Sequence, residues 1–218
     1  MRNFKIILQY EGTRYQGWQR QESTQNTIQG KLERLLTRLA GTEVEIQASG
    51  RTDAGVHAYG QVANFHMDTE LSAQELMEKI NEYLPEDIGV IAIEEVPERF
   101  HSRLNAKGKT YRYRVLNSAV PHIFDRRYVY VCPEKLDVEE MRRAAALLCG
   151  THDYRAFTSA KRSRKSTVRS VDSIDIERMG DEIWFTFSGN GFLFHMVRIL
   201  MGTLLEVGSG KRKAGEMT

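Results

Sequence analysis

Cysteine is nearly absent from this chain of 218 residues: Cys132 and Cys149 are the only two. That argues against a disulfide scaffold and against a zinc site, and it suits a reducing cytosol. Long uncharged apolar runs are missing too. The most apolar stretch, residues 191–207, carries His195, Arg198 and Glu206. It is too short and too charged to cross a bilayer, so no membrane role is expected. Residues 1–4 lead straight into a strand-like segment, without the basic, apolar and cleavage regions of a signal peptide. Nor is there much net charge, since 31 Lys and Arg face 29 Asp and Glu for a formal +2. What remains, 41% hydrophobic and 28% charged residues, is an ordinary globular composition rather than a disordered one.

The charges that are present are segregated. Residues 107–114 hold four basic side chains and two tyrosines, and residues 161–169 hold five basic side chains and no acid. Lys211, Arg212 and Lys213 form a third cluster, while the acids gather mainly in residues 70–98 and 134–140. Such separation fits a basic face for a polyanion. A solvated lysine-rich loop is the plainer reading of any one cluster.

Hydrophobic periodicity divides the chain into elements. Residues 4–10 alternate as a strand. Ile28, Leu32, Leu35, Leu36 and Leu39 mark the apolar face of a helix over 27–40, with Gly41 placed to end it. Strands over 44–48 and 61–66 flank a Gly-containing loop. Ser72 with Glu75 reads as the capping box of the next helix, which stops before Pro85. A strand over 88–93 completes the order βαββαβ. The second half repeats it: a strand over 110–116, a short extra one over 128–131, and a helix over 137–149 with Asp137 and Glu140 as a capping box. A hairpin follows, with arms over 167–177 and 182–188, then a helix over 192–205. A sixth element is due, and the expectation is that a final strand lies beyond residue 218. The fold class is therefore α+β, built from two βαββαβ halves over 1–104 and 105–218.

Three segments could carry chemistry. The first is Ser49-Gly50-Arg51-Thr52-Asp53-Ala54-Gly55-Val56-His57-Ala58. Asp and Gly are common turn residues, but this loop is longer than a hairpin needs, and Arg51 and His57 add no turn logic. Asp53 has no neighbouring His or Ser for a triad, and the chain has no Asp-x-Asp or His-Glu-x-x-His metal pattern. A lone carboxylate beside an arginine suggests an ionised nucleophile or base. The second is Lys109-Thr110-Tyr111-Arg112-Tyr113-Arg114, where strand alternation puts the tyrosines on one side and the arginines on the other. Tyr111 then either stacks on an unpaired base or is a half-buried core residue. The third is Gly191-Phe192-Leu193-Phe194-His195-Met196-Val197-Arg198-Ile199-Leu200-Met201. Arg198 is either a buried cation requiring a carboxylate or, with His195 and Gly202, part of a wet helical stripe. No nucleotide cofactor is indicated: Gly208-Ser209-Gly210-Lys211 lacks phosphate-loop spacing, and no dinucleotide fingerprint is present.

Taken in this order, the three segments resemble the signatures of the bacterial tRNA pseudouridine synthase A family. Gly50-Arg51-Thr52-Asp53-Ala54-Gly55-Val56-His57-Ala58 looks like its catalytic loop, and Tyr10-Glu11-Gly12-Thr13 with Gly17-Trp18-Gln19 resembles its opening. The resemblance spans essentially the whole chain, except that members usually continue to a final strand.

It implies isomerisation of uridine to pseudouridine at positions 38–40 of the tRNA anticodon stem-loop, without cofactor or metal. It implies Asp53 as the essential aspartate, attacking the sugar, attacking the base or removing a sugar proton. Arg198 would pair with Asp53 and keep it ionised, Tyr111 would stack on the target base, and Arg51 would fill the space left by a flipped nucleotide. The expected architecture has antiparallel sheets joined centrally, helices on one side and a cleft between halves, in a cytoplasmic homodimer. The competing function is a noncatalytic RNA-binding protein using the same basic faces.

Overall fold

A computed structural model describes residues 1–160 and 166–217. The chain divides into two compact units, Met1–Ala106 and Lys107–Thr218.

In the first unit β1 (Arg2–Tyr10) alternates as its sequence demands: Phe4, Ile6, Leu8 and Tyr10 are all buried on one face. α1 (Ile28–Ala40) is capped by Thr27, whose side chain accepts from the Gly30 amide, and it ends at Gly41 in the left-handed region at φ 72°. β2 (Ile46–Ala48) and β3 (Ala58–Met67) bracket the Asp53 loop. α2 (Ala73–Tyr83) starts at the Ser72–Glu75 capping box, with both reciprocal hydrogen bonds formed. β4 (Ile88–Val96) closes the unit. The antiparallel sheet runs β2-β3-β1-β4. Ile28, Leu32 and Leu36 of α1 and Leu76 and Ile80 of α2 bury against its Phe4–Phe65 side. Burial of such a side chain contributes about 2 kcal/mol, so this layer carries the unit's stability.

The second unit comprises β5 (Lys109–Leu116), β6 (Tyr130–Val131), α3 (Val138–Leu148), β7 (Gly150–Asp153), β8 (Val168–Met179), β9 (Glu182–Gly189) and α4 (Met196–Gly208). Short 3₁₀ turns occupy Tyr154–Phe157 and Ala214–Met217. Its sheet runs β6-β5-β9-β8-β7. Read as β8-β9-β5-β6, this is the neighbour order of the first sheet. The place that β4 holds beside β1 is taken beside β5 by β6, which pairs in parallel through Val115 and Leu116 alone. α3 and α4 bury Met141, Ala145, Leu200 and Leu204 against Ile174, Ile183, Phe185 and Phe187.

Four local readings are corrected. β7 was not expected, because Gly-Thr-His-Asp is polar and exposed throughout; it exists by pairing with β8, Gly150 opposite Val171. The Asp137 box is only half made. Asp137 accepts from the Glu139 and Glu140 amides, but its own N–H donates to the Gly208 carbonyl, and Glu140 pairs with Arg143 instead. α4 begins at Met196 and not at residue 192, because His195 before it takes the left-handed conformation at φ 59°. It also runs past residue 205, to Gly208.

Candidate active site

The loop 49–57 leaves the β2–β3 ladder after the Ser49 amide bonds to the Val62 carbonyl at 2.8 Å. Asp53 opens a turn closed by Val56 N–H donating to the Asp53 carbonyl at 3.2 Å. Gly55 sits at the third position with φ 78°, which a type II turn demands and a side chain resists. Asp-Ala-Gly-Val is thus turn chemistry that also presents a half-buried carboxylate.

A second segment, 10–18, braces this loop from one side. Trp18 N–H donates to the Thr52 carbonyl at 3.0 Å and Gly55 N–H to the Tyr15 carbonyl at 3.2 Å. The Tyr10 and Thr52 hydroxyls are 2.9 Å apart. Gly12 N–H donates to His57 Nδ1 at 3.0 Å. That bond engages Nδ1 as the acceptor and ties the ring to the bracing segment. Glu11 Oε1 lies 3.3 Å from the same nitrogen. The two glycines of the bracing segment permit backbone-to-backbone approach. A Cβ at Gly12 would lie 2.0 Å from the Val56 carbonyl oxygen, and one at Gly17 would lie 2.6 Å from that of Thr52.

The brace is itself anchored. Tyr15 donates to Asp87 Oδ1 at 2.5 Å and Arg14 to Oδ2 at 2.7 Å. Burial alone would raise the Asp87 carboxyl, yet the Tyr15 hydroxyl and the Arg14 guanidinium hold it below the ordinary range. Burial, and the carboxylate that accepts its proton, push the Tyr15 phenol up. On the other side buried Glu33 of α1 ties down β2, accepting from Ile46 N–H at 3.2 Å and from Gln29 at 2.8 Å.

The four residues singled out in the sequence fall in both units. Asp53 and exposed Arg51 share the braced loop of the first. Tyr111 and Arg198 belong to the second. Tyr111 lies on β5 opposite Phe187, half-buried, with its ring edge-on to Phe192 at 5.3 Å. Tyr113 shares its core-facing side, while Arg112 and Arg114 flank the Trp184 ring at 4.8 and 5.5 Å on the other. Arg198 is the third residue of α4, exposed with Gly202 on the stripe opposite buried Leu200, Met201 and Leu204. The run 161–165 lies outside the described residues.

Sequence reasoning did not find the Tyr15–Asp87 anchor, the buried Glu33 tether or the His195 turn. The glycine spacing of 12 and 17 was the available signal for the brace. Among the described residues no three His, Cys, Asp or Glu side chains come together as metal ligands, and no helix is long and apolar enough to cross a membrane.

A sequence model described as tRNA pseudouridine synthase matches residues 6–105 and 144–218. The chain belongs to the tRNA pseudouridine synthase family. A relative from Bacillus sp. (strain KSM-64), named tRNA pseudouridine synthase A, is 46% identical over 98% of this chain and 87% of its own length. One of the same name from Acetivibrio thermocellus is 44% identical over 100% of this chain and 88% of its own. A third, tRNA pseudouridine synthase A 1 from Clostridium tetani, is 46% identical over 95% and 85%. The pseudouridine synthase match takes in the braced Asp53 loop and the Arg198 helix, and in its first stretch the Gly12 and Gly17 contacts that hold that loop.

Proposed function

We infer that this protein isomerises uridine to pseudouridine in tRNA, acting on the anticodon stem-loop, with Asp53 as its essential group. The observation that carries the assignment is the Asp53 loop itself: a carboxylate on a type II turn whose backbone is tied at the Thr52 carbonyl and the Gly55 N–H to a second strand-end segment. Placement of that rigidity suits a reaction in which one group must meet a reacting carbon within a fraction of an ångström. Family membership supports the same reading.

The reaction breaks the N1–C1′ glycosidic bond, turns the base, and joins C5 to C1′. C5 loses a proton and N1 gains one, so atoms and electrons balance without a redox partner or group donor. The Asp53 carboxylate serves as nucleophile or base in its ionised form. Arg198 contributes to binding the substrate, Tyr111 stacks on the target base, and Arg51 fills the space that the extruded nucleotide leaves. We further propose that the enzyme works as a cytoplasmic homodimer, where Cys132 and Cys149 stay reduced.

The test is to incubate the protein with unmodified tRNA, without added metal or nucleotide, and to map pseudouridine chemically. Conversion in the anticodon stem-loop supports the assignment. Conversion elsewhere in the tRNA overturns the proposed target region, and tRNA that is bound but unchanged would establish the RNA-binding alternative.

A further inference from the structure

Six glycines, Gly17, Gly41, Gly55, Gly150, Gly180 and Gly210, supply the positive-φ positions among the described residues, and a single residue with a side chain joins them: His195, at φ 59°. Glycine is the default for this conformation because a Cβ crowds the following carbonyl there. The chain therefore keeps a side chain where backbone geometry alone favours none, and strain of this kind collects at functional sites.

The side chain is engaged. His195 Nδ1 lies 2.7 Å from Ser159 Oγ, and its ring stacks on Phe194 with centroids 3.8 Å apart. The neighbouring backbone is tied to the same segment, since Thr158 Oγ1 donates to the Phe194 carbonyl at 2.9 Å. Ser159 stands two residues before the basic run that begins at Lys161. His195 is also the residue preceding α4; its carbonyl accepts from Ile199 N–H at 3.1 Å, closing the turn that contains Arg198.

We propose that His195 is a positioning residue for the isomerisation: its left-handed backbone and its hydrogen bond to Ser159 fix the first turn of α4, and through it the direction of Arg198. This rests on the reading of Arg198 as an active-site residue. The strained turn sets where α4 starts, and the Ser159 bond locks the turn against the segment leading to the basic run. Glycine could supply the backbone but not the lock.

The experiment measures kcat and KM on unmodified tRNA, with thermal midpoints, for His195→Gly, His195→Asn, Ser159→Ala and Arg198→Ala in the full chain. His195→Gly is expected to lose about ten- to a hundredfold in kcat, the cost of a misplaced active-site group. Its KM should stay within about twofold, because the loss belongs to the chemical step. His195→Asn should recover most of the rate, because asparagine tolerates the left-handed region and its amide reaches toward Ser159. Ser159→Ala should lower kcat, and adding it to His195→Gly should cost nothing more. A purely structural turn predicts the reverse order, with glycine equal to or better than histidine in both kcat and thermal midpoint; that result overturns the proposal. If Arg198→Ala abolishes turnover while His195→Gly leaves it intact, this inference alone falls. If Arg198→Ala keeps the full rate, the reading of Arg198 falls and takes the inference with it.

Discussion

Gly12 meets Val56 so closely that a single added methyl would fall 2.0 Å from the Val56 carbonyl oxygen. The contact is between two backbones, with no flexible side chain to give way. Either the loop carrying Asp53 or the segment that braces it must move to admit a side chain. Gly12→Ala should therefore lower stability by about 1–3 kcal/mol and displace the Asp53 turn. Turnover should fall about a hundredfold, more than the stability loss explains under conditions where the variant stays folded. Urea unfolding alongside steady-state kinetics checks this, and a Gly12→Ala variant with wild-type kcat would show that the brace is dispensable.

Acid should loosen the same brace. The Asp87 carboxyl is held below its ordinary value, so its contribution to stability is complete above the unfolded carboxylate value. That contribution drains away as pH falls toward the lower folded value. Tyr15→Phe removes the 2.5 Å hydrogen bond and should cost about 2 kcal/mol at neutral pH. Asp87→Asn should flatten the decline in unfolding free energy as pH falls through and below the ordinary carboxylate range. Identical acid limbs for Asp87→Asn and the wild type would place the acid sensitivity elsewhere.

Binding of tRNA should weaken steeply with salt, with Lys161, Arg162 and Arg164 supplying part of the slope. Replacing all three with glutamine should reduce the slope of log K against log salt by about 2, in proportion to the phosphate contacts removed. An unchanged slope would mark the run as a solvated surface. The distinction is measurable by filter binding across a salt series.

Most of the element order was legible because its signals are local. Both partners of the Ser72–Glu75 box lie within one helical turn, and the alternation of Phe4, Ile6, Leu8 and Tyr10 states the buried face of β1 outright. Where a distant group intervenes, the reading failed. Asp137 and Glu140 have box spacing, but the Asp137 N–H is taken by Gly208 from α4, some seventy positions on. β7 has no apolar pattern because its stability comes from the β8 ladder, and Glu33 looks like an exposed helical acid until β2 is seen to need it. The apolar run before Met196 reads as helix because hydrophobicity carries no sign of a positive φ at histidine. At the candidate site, Asp53 stood out by its Gly-bracketed loop. The clamp on that loop was hidden, since a glycine required by close approach is spelled the same as one required by a turn.

The most direct measurement of the role of Asp53 compares wild type with Asp53→Asn on unmodified tRNA. Asparagine keeps the size of the side chain and its place on the turn while removing the charge. The variant should bind tRNA with a Kd close to that of wild type and lose at least about a thousandfold in kcat, as expected when the ionised group of the chemical step is lost. Pseudouridine formed at the wild-type rate by Asp53→Asn would contradict the account.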